Sequence, residues 1–263
     1  MDRLHESPAP LEGENHRVRR WGAAPLLVVC EHASKHVPPD VDLGVDADLL
    51  DTHWGWDRWA ADVLERAAPR LGGTTVEARV SRLVLDLNRG PADATLVREE
   101  AEGRPIPGNL GLGAAGRAAR VARFHAPYHA AIDRELGRLV GAHGPTRALL
   151  VSLHSFTGRW PGQDRDFDVG VLFDRYEPLA AGVRKALALR GLRARMNEPY
   201  SGHRGEIYAA AVHGERHEVA YLELEMNQDV LERAEERARF AGALAEVLTA
   251  TLGHVPALWE GGR

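Results

Sequence analysis

Polar side chains that can bind a metal or carry a proton follow three apolar runs of the sequence. They are His32 after the run 25–30, His154 after the run 148–153, and Glu225 at the end of the run 219–225. Short apolar runs of this kind are typical of strands that are buried on both faces of a parallel sheet. Since parallel sheets bind ligands beyond the carboxyl ends of their strands, we expect the three side chains to face one crevice.

His32 and His154 carry the side chain that most commonly binds a divalent metal in proteins. A catalytic zinc takes three protein ligands and keeps a fourth position for water. Asp57 lies at the start of the first long predicted helix and is the third ligand that we expect. The alternative is that Asp57 complements the helix dipole. The sequence thus predicts a site for Zn²⁺ or another divalent metal at His32, Asp57 and His154.

Glu225 is the general base that the sequence predicts. A glutamate at the inner end of a buried strand needs a partner, and a carboxylate beside a metal-activated water can accept its proton. Glu223 lies two residues earlier on the same face of the strand, so the sequence does not fully separate the two. Alternatively, one of them forms an ion pair with an arginine.

Arg82 and Arg89 lie at the two ends of a predicted short strand over 82–87. A guanidinium group presents a rigid fork that matches a carboxylate, so the two arginines are candidates for binding an acidic small-molecule substrate. The alternative for each arginine is an internal ion pair with Asp86.

Two further motifs carry less weight. His125 and His129 lie four residues apart on one predicted helical face, but they lack the glutamate of a zinc-binding HExxH motif. Packing or substrate contact is the alternative for this pair. The segment 111–116 fits GxGxxG, yet it follows a Pro/Gly-rich loop and no strand, which argues against a dinucleotide site. No GxSxG motif is present, which argues against a serine hydrolase.

The elements that must position these residues follow from hydrophobic periodicity. Strands are predicted over 25–30, 74–79, 82–87, 148–153, 169–173 and 219–225. Helices are predicted over about 54–70, 113–142, 177–190 and 229–252, with Pro127 bending or dividing the second. Strands that alternate with helices predict an α/β fold with a mostly parallel central sheet.

Composition limits the classes of function. The net charge of −5 argues against a nucleic-acid binder, and no apolar run approaches the ~20 residues of a membrane span. Cys30 is the one cysteine, which excludes an internal disulfide and fits a cytoplasmic location. Residues 1–20 are polar and contain Pro8, Pro10 and Gly13. We expect them to form a flexible segment ahead of a single domain over 21–263.

Several segments, taken together and in order, resemble the N-formylglutamate amidohydrolase family. They are CEHAS at 30–34, Trp56-Asp57, SRLVLDLNR at 81–89, Pro127-Tyr128-His129, SLHS at 152–155, DVGVL at 168–172, NEPYSG at 197–202 and LEMNQD at 224–229. Each segment alone has low specificity, whereas the ordered set, spread over about 26–231, has high specificity.

The resemblance implies a three-layer fold like that of the zinc-dependent exopeptidases and a divalent metal near His32, Asp57 and His154. It also implies that Glu225 activates the attacking water and that Asn88 and Arg89 hold the substrate carboxylate. The implied reaction is hydrolysis of a small amide, with the deformylation of N-formyl-L-glutamate foremost.

The chain departs from the family pattern at one position and around the segment of Asn197. The best-defined deformylases of this family carry an acidic residue two places before the second metal histidine, and this chain has Ser152 there. The alternatives are therefore a carboxypeptidase-like or N-acyl amino acid hydrolase with another substrate, or a non-catalytic binding relative. The sequence does not predict the oligomeric state.

Overall fold

In the computed structural model, which describes residues 11–163 and 165–260, eight strands form one mixed sheet. In chain order they are β1 Leu11–Glu12, β2 His16–Arg20, β3 Leu26–Cys30, β4 Thr74–Ala78, β7 Leu149–Phe156, β8 Val169–Leu172, β9 Ala194–Met196 and β10 Ala220–Asn227. A separate short hairpin pairs β5 Glu100–Ala101 with β6 Arg104–Pro105.

The sheet order is β1-β2-β4-β3-β7-β10-β8-β9. Four of its seven pairings are parallel: β3 with β4, β3 with β7, β7 with β10, and β8 with β9. At the centre, Leu149 of β7 pairs with Leu26 on one side and Ala220 on the other. The carboxyl ends of β3, β7 and β10 therefore meet along one edge of the sheet.

Helices cover both faces of this sheet. They are α1 Ala47–Leu50, α2 Ala60–Leu71, α3 Gly113–Arg120, α4 Ala126–His143, α5 Glu177–Ala188, α6 Tyr208–His217, α7 Gln228–Leu231, α8 Ala234–Leu252 and α9 Ala257–Glu260. Short 3-10 turns lie at Ala94–Leu96, Pro145–Arg147 and Gly202–Arg204, and a π turn lies at Val121–His125. No helix within the described ranges is long and apolar enough to cross a bilayer.

Alternate residues of the central strands enter two separate apolar cores. Leu149, Val151 and Leu153 of β7 pack with α2, α5 and α8, whereas Leu150 packs with α4 and α6 on the opposite face. Because successive side chains of a strand point to opposite faces, this alternation produces three layers, with the sheet between two layers of helices. The predicted α/β class with a mostly parallel central sheet is confirmed.

On the face that packs against α4 and α6, the central strands change from apolar to polar toward their carboxyl ends. The series are Leu27, Val29 and Glu31 along β3 and beyond it, Leu150, Ser152 and His154 along β7, and Tyr221, Glu223 and Glu225 along β10. All nine side chains are buried. A polar region is thus built into the layer between the sheet and these two helices.

Two predictions about the elements were wrong. Residues 82–87 form turns and no strand. The apolar residues of this segment are buried all the same, so the apolar pattern here reflects a buried loop; they are Leu83, Val84, Leu85 and Leu87. The predicted flexible segment over 1–20 is wrong for residues 11–20, which supply β1 and β2; residues 1–10 lie outside the described part of the chain. In β2, Arg19 pairs with Glu65 and Arg20 with Glu135, which neutralises two charges of this polar strand.

The long helix predicted over 113–142 is interrupted just before Pro127 by the π turn at Val121–His125, and the chain stays helical on both sides of it. Proline lacks an N–H group, and its ring crowds the carbonyl four residues earlier. The chain accommodates it with the π turn between α3 and α4, and Pro127 lies in the first turn of α4.

Candidate active site

His32, Asp57 and His154 lie together at the carboxyl edge of the sheet. His32 lies two residues after the end of β3, and His154 lies within β7, which extends three residues further than predicted. Asp57 lies in the turn before α2, where its backbone N–H donates to the carbonyl of His32 at 3.0 Å. All three side chains are buried.

The three potential ligand atoms converge on one another. Asp57 Oδ2 lies 2.7 Å from His154 Nδ1 and 3.3 Å from His32 Nδ1, and the two Nδ1 atoms are 3.1 Å apart. Ligands bonded to zinc at about 2.05 Å and the tetrahedral angle are about 3.3 Å apart. The spacing of these atoms therefore fits a small divalent cation.

The other nitrogen of each ring faces a buried carboxyl group. His32 Nε2 lies 2.7 Å from Asp86 Oδ1, and His154 Nε2 lies 3.0 Å from Glu31 Oε2. Against the effect of burial, Arg82 and His32 hold the pKa of Asp86 well below its usual range, and a hydrogen bond from His154 lowers the pKa of Glu31. Both carboxylates accept hydrogen bonds, so each ring carries a proton on Nε2 and directs Nδ1 inward.

The charge around these atoms also fits a cation. Five carboxyl groups are buried here, those of Glu31, Asp57, Asp86, Glu223 and Glu225. Among the described residues, Arg82 is the one arginine that forms ion pairs with any of them. Burial opposes charge on His154, but Glu223, Asp57 and Glu31 raise its pKa well above the ordinary value. The same negative potential that favours a proton on His154 Nδ1 favours a metal ion at that point.

Glu223 and Glu225 have different surroundings. Glu223 Oε2 accepts a hydrogen bond from Asn88 Nδ2 at 3.2 Å and lies 3.6 Å from His154 Nε2. Glu225 Oε2 is buried and has no hydrogen-bond partner among the residues that the structure describes. Burial raises the pKa of Glu223 to about 7 and that of Glu225 well above its usual range. Glu225 is therefore the less engaged of the two carboxyl groups.

The residues that were predicted to bind substrate differ in how far other groups of the protein already occupy their side chains. Arg82 donates to Asp86 Oδ2 from Nη2 at 2.7 Å, which is the internal pair considered as its alternative. Arg89 is half-buried, and its Nη1 donates to the carbonyl of Asn88 at 3.2 Å. No carboxylate within the described ranges pairs with the Arg89 side chain, so its guanidinium group is the more available for a ligand.

These residues border a cavity of about 360 Å³, which is a size typical of small-molecule sites. Its lining includes the three potential metal ligands, Glu223 and Glu225, Arg82, Asn88 and Arg89, and also residues that sequence reasoning missed: Arg98, Arg165, Trp54, Trp160 and Tyr200. The missed residues lie on loops, where hydrophobic periodicity gives no signal.

Asp86 and Glu31 were also missed as partners of the histidines. Glu31 precedes His32 directly in the sequence, which is a local signal. Asp86 was considered only as a partner of arginine, although one of its oxygens serves His32 and the other Arg82. Ser152, which departs from the family pattern, donates from Oγ to Glu31 Oε2 at 2.7 Å.

His125 and His129 lie away from the metal ligands, and no metal-like cluster in the described part of the chain includes them. His125 Nε2 donates to the carbonyl of Arg89 at 2.9 Å, and His129 Nε2 donates to the carbonyl of Leu87 at 3.0 Å. The spacing of four residues thus allows the two histidines to donate to the backbone carbonyls of the residues on either side of Asn88.

Comparison with known proteins gives consistent matches. The model of the N-formylglutamate amidohydrolase family matches residues 24–231. The N-formylglutamate deformylase of Pseudomonas aeruginosa is 32% identical over 166 residues, which are 57% of this chain and 60% of that enzyme. The enzyme of the same name from Pseudomonas putida is 32% identical over 167 residues, with the same coverage. These matches span less than two thirds of the relatives' length.

Two solved structures share the fold over nearly the whole chain. A gene product of Agrobacterium tumefaciens superposes with a TM-score of 0.86 at 29% identity, over 92% of this chain and 96% of that one. The N-formylglutamate amidohydrolase of Ralstonia eutropha superposes with a TM-score of 0.69 at 20% identity, over 91% and 96%. Because the family model covers most of the sequence, the chain belongs to the N-formylglutamate amidohydrolase family.

Proposed function

We propose that this protein hydrolyses the amide bond of an N-formyl or N-acyl amino acid, with N-formyl-L-glutamate as the first substrate to test. The observation that carries the proposal is the convergence of His32 Nδ1, Asp57 Oδ2 and His154 Nδ1 at a cavity that also contains Glu225 and Arg89. The membership of the family supports the reaction class.

His32, Asp57 and His154 would hold the metal, with zinc as the first candidate because the donors are two imidazoles and one carboxylate. When bound, a divalent cation supplies Lewis-acid activation of water and of the substrate carbonyl. Asp86 and Glu31 fix the ring orientation of the two histidines from behind.

Glu225 acts as the general base in this proposal. Its unpaired Oε2 borders the cavity and can accept a proton from water, then deliver it to the departing amine. A neighbouring dication favours the ionised carboxylate against the effect of burial, which the base requires. Glu223 is less suited because it already accepts from Asn88.

Arg89 and Asn88 bind the substrate carboxylate in this proposal. Asn88 Oδ1 accepts from the backbone N–H of Ala209 at 2.9 Å, which fixes the orientation of its amide. Arg82 has a supporting role toward substrate because its guanidinium group is engaged by Asp86 and Asp57.

Metal analysis of the purified protein, combined with a panel of N-formyl, N-acetyl and peptide substrates scored by amine release, tests the proposal. We expect about one divalent metal per chain and fastest release from N-formyl amino acids. Fastest release from peptides or N-acetyl substrates would favour the carboxypeptidase-like or N-acyl hydrolase alternative. Absence of turnover on the whole panel with metal bound would favour a binding relative.

The variant Glu225→Gln tests the assignment of the base. It keeps the size of the side chain but cannot accept the proton, so we expect a loss of about 10²–10⁴-fold in kcat with metal content unchanged. Glu223→Gln is the matched control, with a smaller expected loss. A reversed order of the two variants would transfer the role to Glu223.

A further inference from the structure

A second histidine cluster lies between α4 and α6, behind the segment that carries Asn88. His129 Nδ1 lies 2.7 Å from His213 Nε2, and His213 Nδ1 lies 2.7 Å from Asp133 Oδ1. The two rings are nearly parallel, with 19° between their planes and centroids 5.0 Å apart, and both histidines are buried. With the carbonyl of Leu87 at the other end, these groups form a continuous column of hydrogen bonds, which we call the histidine column.

Both ends of the histidine column are hydrogen-bond acceptors. The Leu87 carbonyl needs a hydrogen on His129 Nε2, and the Asp133 carboxylate needs one on His213 Nδ1. A neutral imidazole carries a single N–H, so these two contacts use the hydrogens of both neutral rings. His129 Nδ1 and His213 Nε2, which are 2.7 Å apart, would then direct their lone pairs at each other and repel. A third proton between the rings removes that repulsion and makes a charge-assisted hydrogen bond.

The charged or titratable groups around the column are Asp133 from α4, His125 from the π turn before it, Arg216 and His217 from α6, and Glu31 beyond β3. Asp133 also pairs with Arg216 and with His217, the latter at 3.0 Å. Burial lowers the pKa of both His129 and His213, and Asp133 opposes this for His213. Asp133 is therefore the group on which retention of the third proton depends.

The column ends on the backbone that presents the substrate-binding residues. Leu87 and Arg89 flank Asn88, and their carbonyls accept from His129 and His125 respectively. The rings of His125 and His129 are stacked with centroids 4.0 Å apart, so the two donors form one rigid support. Rotation of the Leu87–Asn88 peptide, which carries the Leu87 carbonyl, would displace the side-chain amide of Asn88 from Glu223.

We propose that His129, His213 and Asp133 share a third proton and, together with His125, act as positioning residues that hold Asn88 and Arg89 toward the substrate. The part of this inference that concerns substrate rests on the proposed function, whereas the shared proton and the held backbone do not. The class of ligand positioned in this way is a carboxylate.

Nuclear magnetic resonance of the metal-loaded protein with ¹⁵N-labelled histidine tests the shared proton without substrate. We expect three protonated nitrogens across His129 and His213 at mildly acidic pH, with one proton signal assigned to the contact between the rings. Asp133→Asn should move the loss of that proton to lower pH, because it removes the negative charge that stabilises it. Two neutral rings with one hydrogen each, at every pH between about 5 and 9, would overturn the proposal.

Variants of His213 test the positioning role. His213→Gln places an uncharged N–H donor against His129 Nδ1, whereas His213→Ala places none. We expect the backbone amide signals of Asn88 and Arg89 to shift in His213→Ala and to return in His213→Gln. With an acidic substrate, His213→Ala should raise KM about tenfold with kcat within about twofold, and His213→Gln should restore KM.

Glu215→Gln is the matched control, since it lies on α6 in an exposed pair with Arg175. It should change neither the amide signals nor KM. A purely structural role of His213 would lower the melting temperature in both His213 variants and leave KM unchanged, which would overturn the positioning role. If no substrate is turned over, the amide signals alone decide: their invariance in His213→Ala would refute the inference.

Discussion

Two histidine pairs in this protein have nearly the same hydrogen-bond pattern and different surroundings. In the pair of His32 and His154, the outer nitrogens meet Asp86 and Glu31, and the inner nitrogens are 3.1 Å apart. In the histidine column, the outer nitrogens of His129 and His213 meet Leu87 O and Asp133, and the inner ones are 2.7 Å apart. Each pair has acceptors at both ends, so each needs a positive charge between its rings.

The difference lies in a third acceptor and in access. Asp57 Oδ2 contacts both inner nitrogens of the first pair, which also opens onto the cavity. The second pair has no such carboxylate within the described part of the chain between its rings, and α4 and α6 enclose it. Three converging donors with access suit a metal ion, whereas two donors in an enclosed space suit a proton. The surroundings of each histidine pair therefore determine which cation it is suited to hold.

The largest expected effect separates the two pairs directly. His154→Ala should weaken zinc binding more than about 100-fold, because it removes a proposed ligand, and loss of only the hydrogen-bond partner behind a ligand already costs about 10–100-fold. The measurement is zinc affinity by competition with a chromophoric chelator. His129→Gln keeps a donor for the Leu87 carbonyl and should bind zinc like the wild type. Equal losses in both variants would contradict the distinction between the pairs.

A smaller effect is expected from the carboxylates behind the first pair. Asp86→Asn and Glu31→Gln should each weaken zinc binding by about 10–100-fold, since a neutral amide accepts a weaker hydrogen bond from Nε2–H than a carboxylate does. Asp86→Asn should also lower the melting temperature more, because it leaves Arg82 without its closest partner. Asp133→Asn is the corresponding change in the histidine column and should leave zinc affinity unaltered; a loss comparable to that of Asp86→Asn would mean that the pairs are coupled.

The smallest expected effect concerns Arg89, which borders the cavity and whose carbonyl contacts His125. Arg89→Ala should raise KM for an acidic substrate about tenfold and change KM for its amide analogue little, because a contact made equally in ground and transition states appears in KM. Arg89→Lys should restore part of the affinity, as a point charge does not reproduce a bidentate fork. If Arg89 only braces the loop, the melting temperature falls and the preference for the acid over the amide stays the same.

The sequence predicted the layers of the fold and the grouping of His32, Asp57 and His154, because apolar runs mark buried strands and polar residues follow them. The roles assigned to these residues stay predictions. The histidine column could not be predicted, because His213 lies on α6, whose segment 208–217 contains a glycine and two histidines and has no clear amphipathic period. Contacts between residues 84 positions apart have no local signature.

The wrong assignments have physical reasons as well. The run 82–87 is apolar because it is buried beneath the cavity, and burial alone does not distinguish a loop from a strand. Residues 16–20 are polar but form β2, because Glu65 and Glu135 neutralise Arg19 and Arg20. In both segments, tertiary partners override the local pattern.

The π turn at Val121–His125 changes the rotation of the helical segment about its own axis. The part before the turn and the part after it can therefore each direct their side chains at a different set of partners. Before it, the Arg120 guanidinium group donates to the carbonyls of Val84 and Gly108. His125, the last residue of the turn, and His129, one helical turn further on, donate to the carbonyls of Arg89 and Leu87. A π turn contains one residue more than an α-helical turn would need. Deleting a residue there would rotate one half by about 100° against the other, so the helix could satisfy its contacts on one side only. The number of residues in this turn therefore matters more than their types. An insertion or deletion that a surface helix would tolerate should abolish either the contacts of Arg120 or those of His125 and His129.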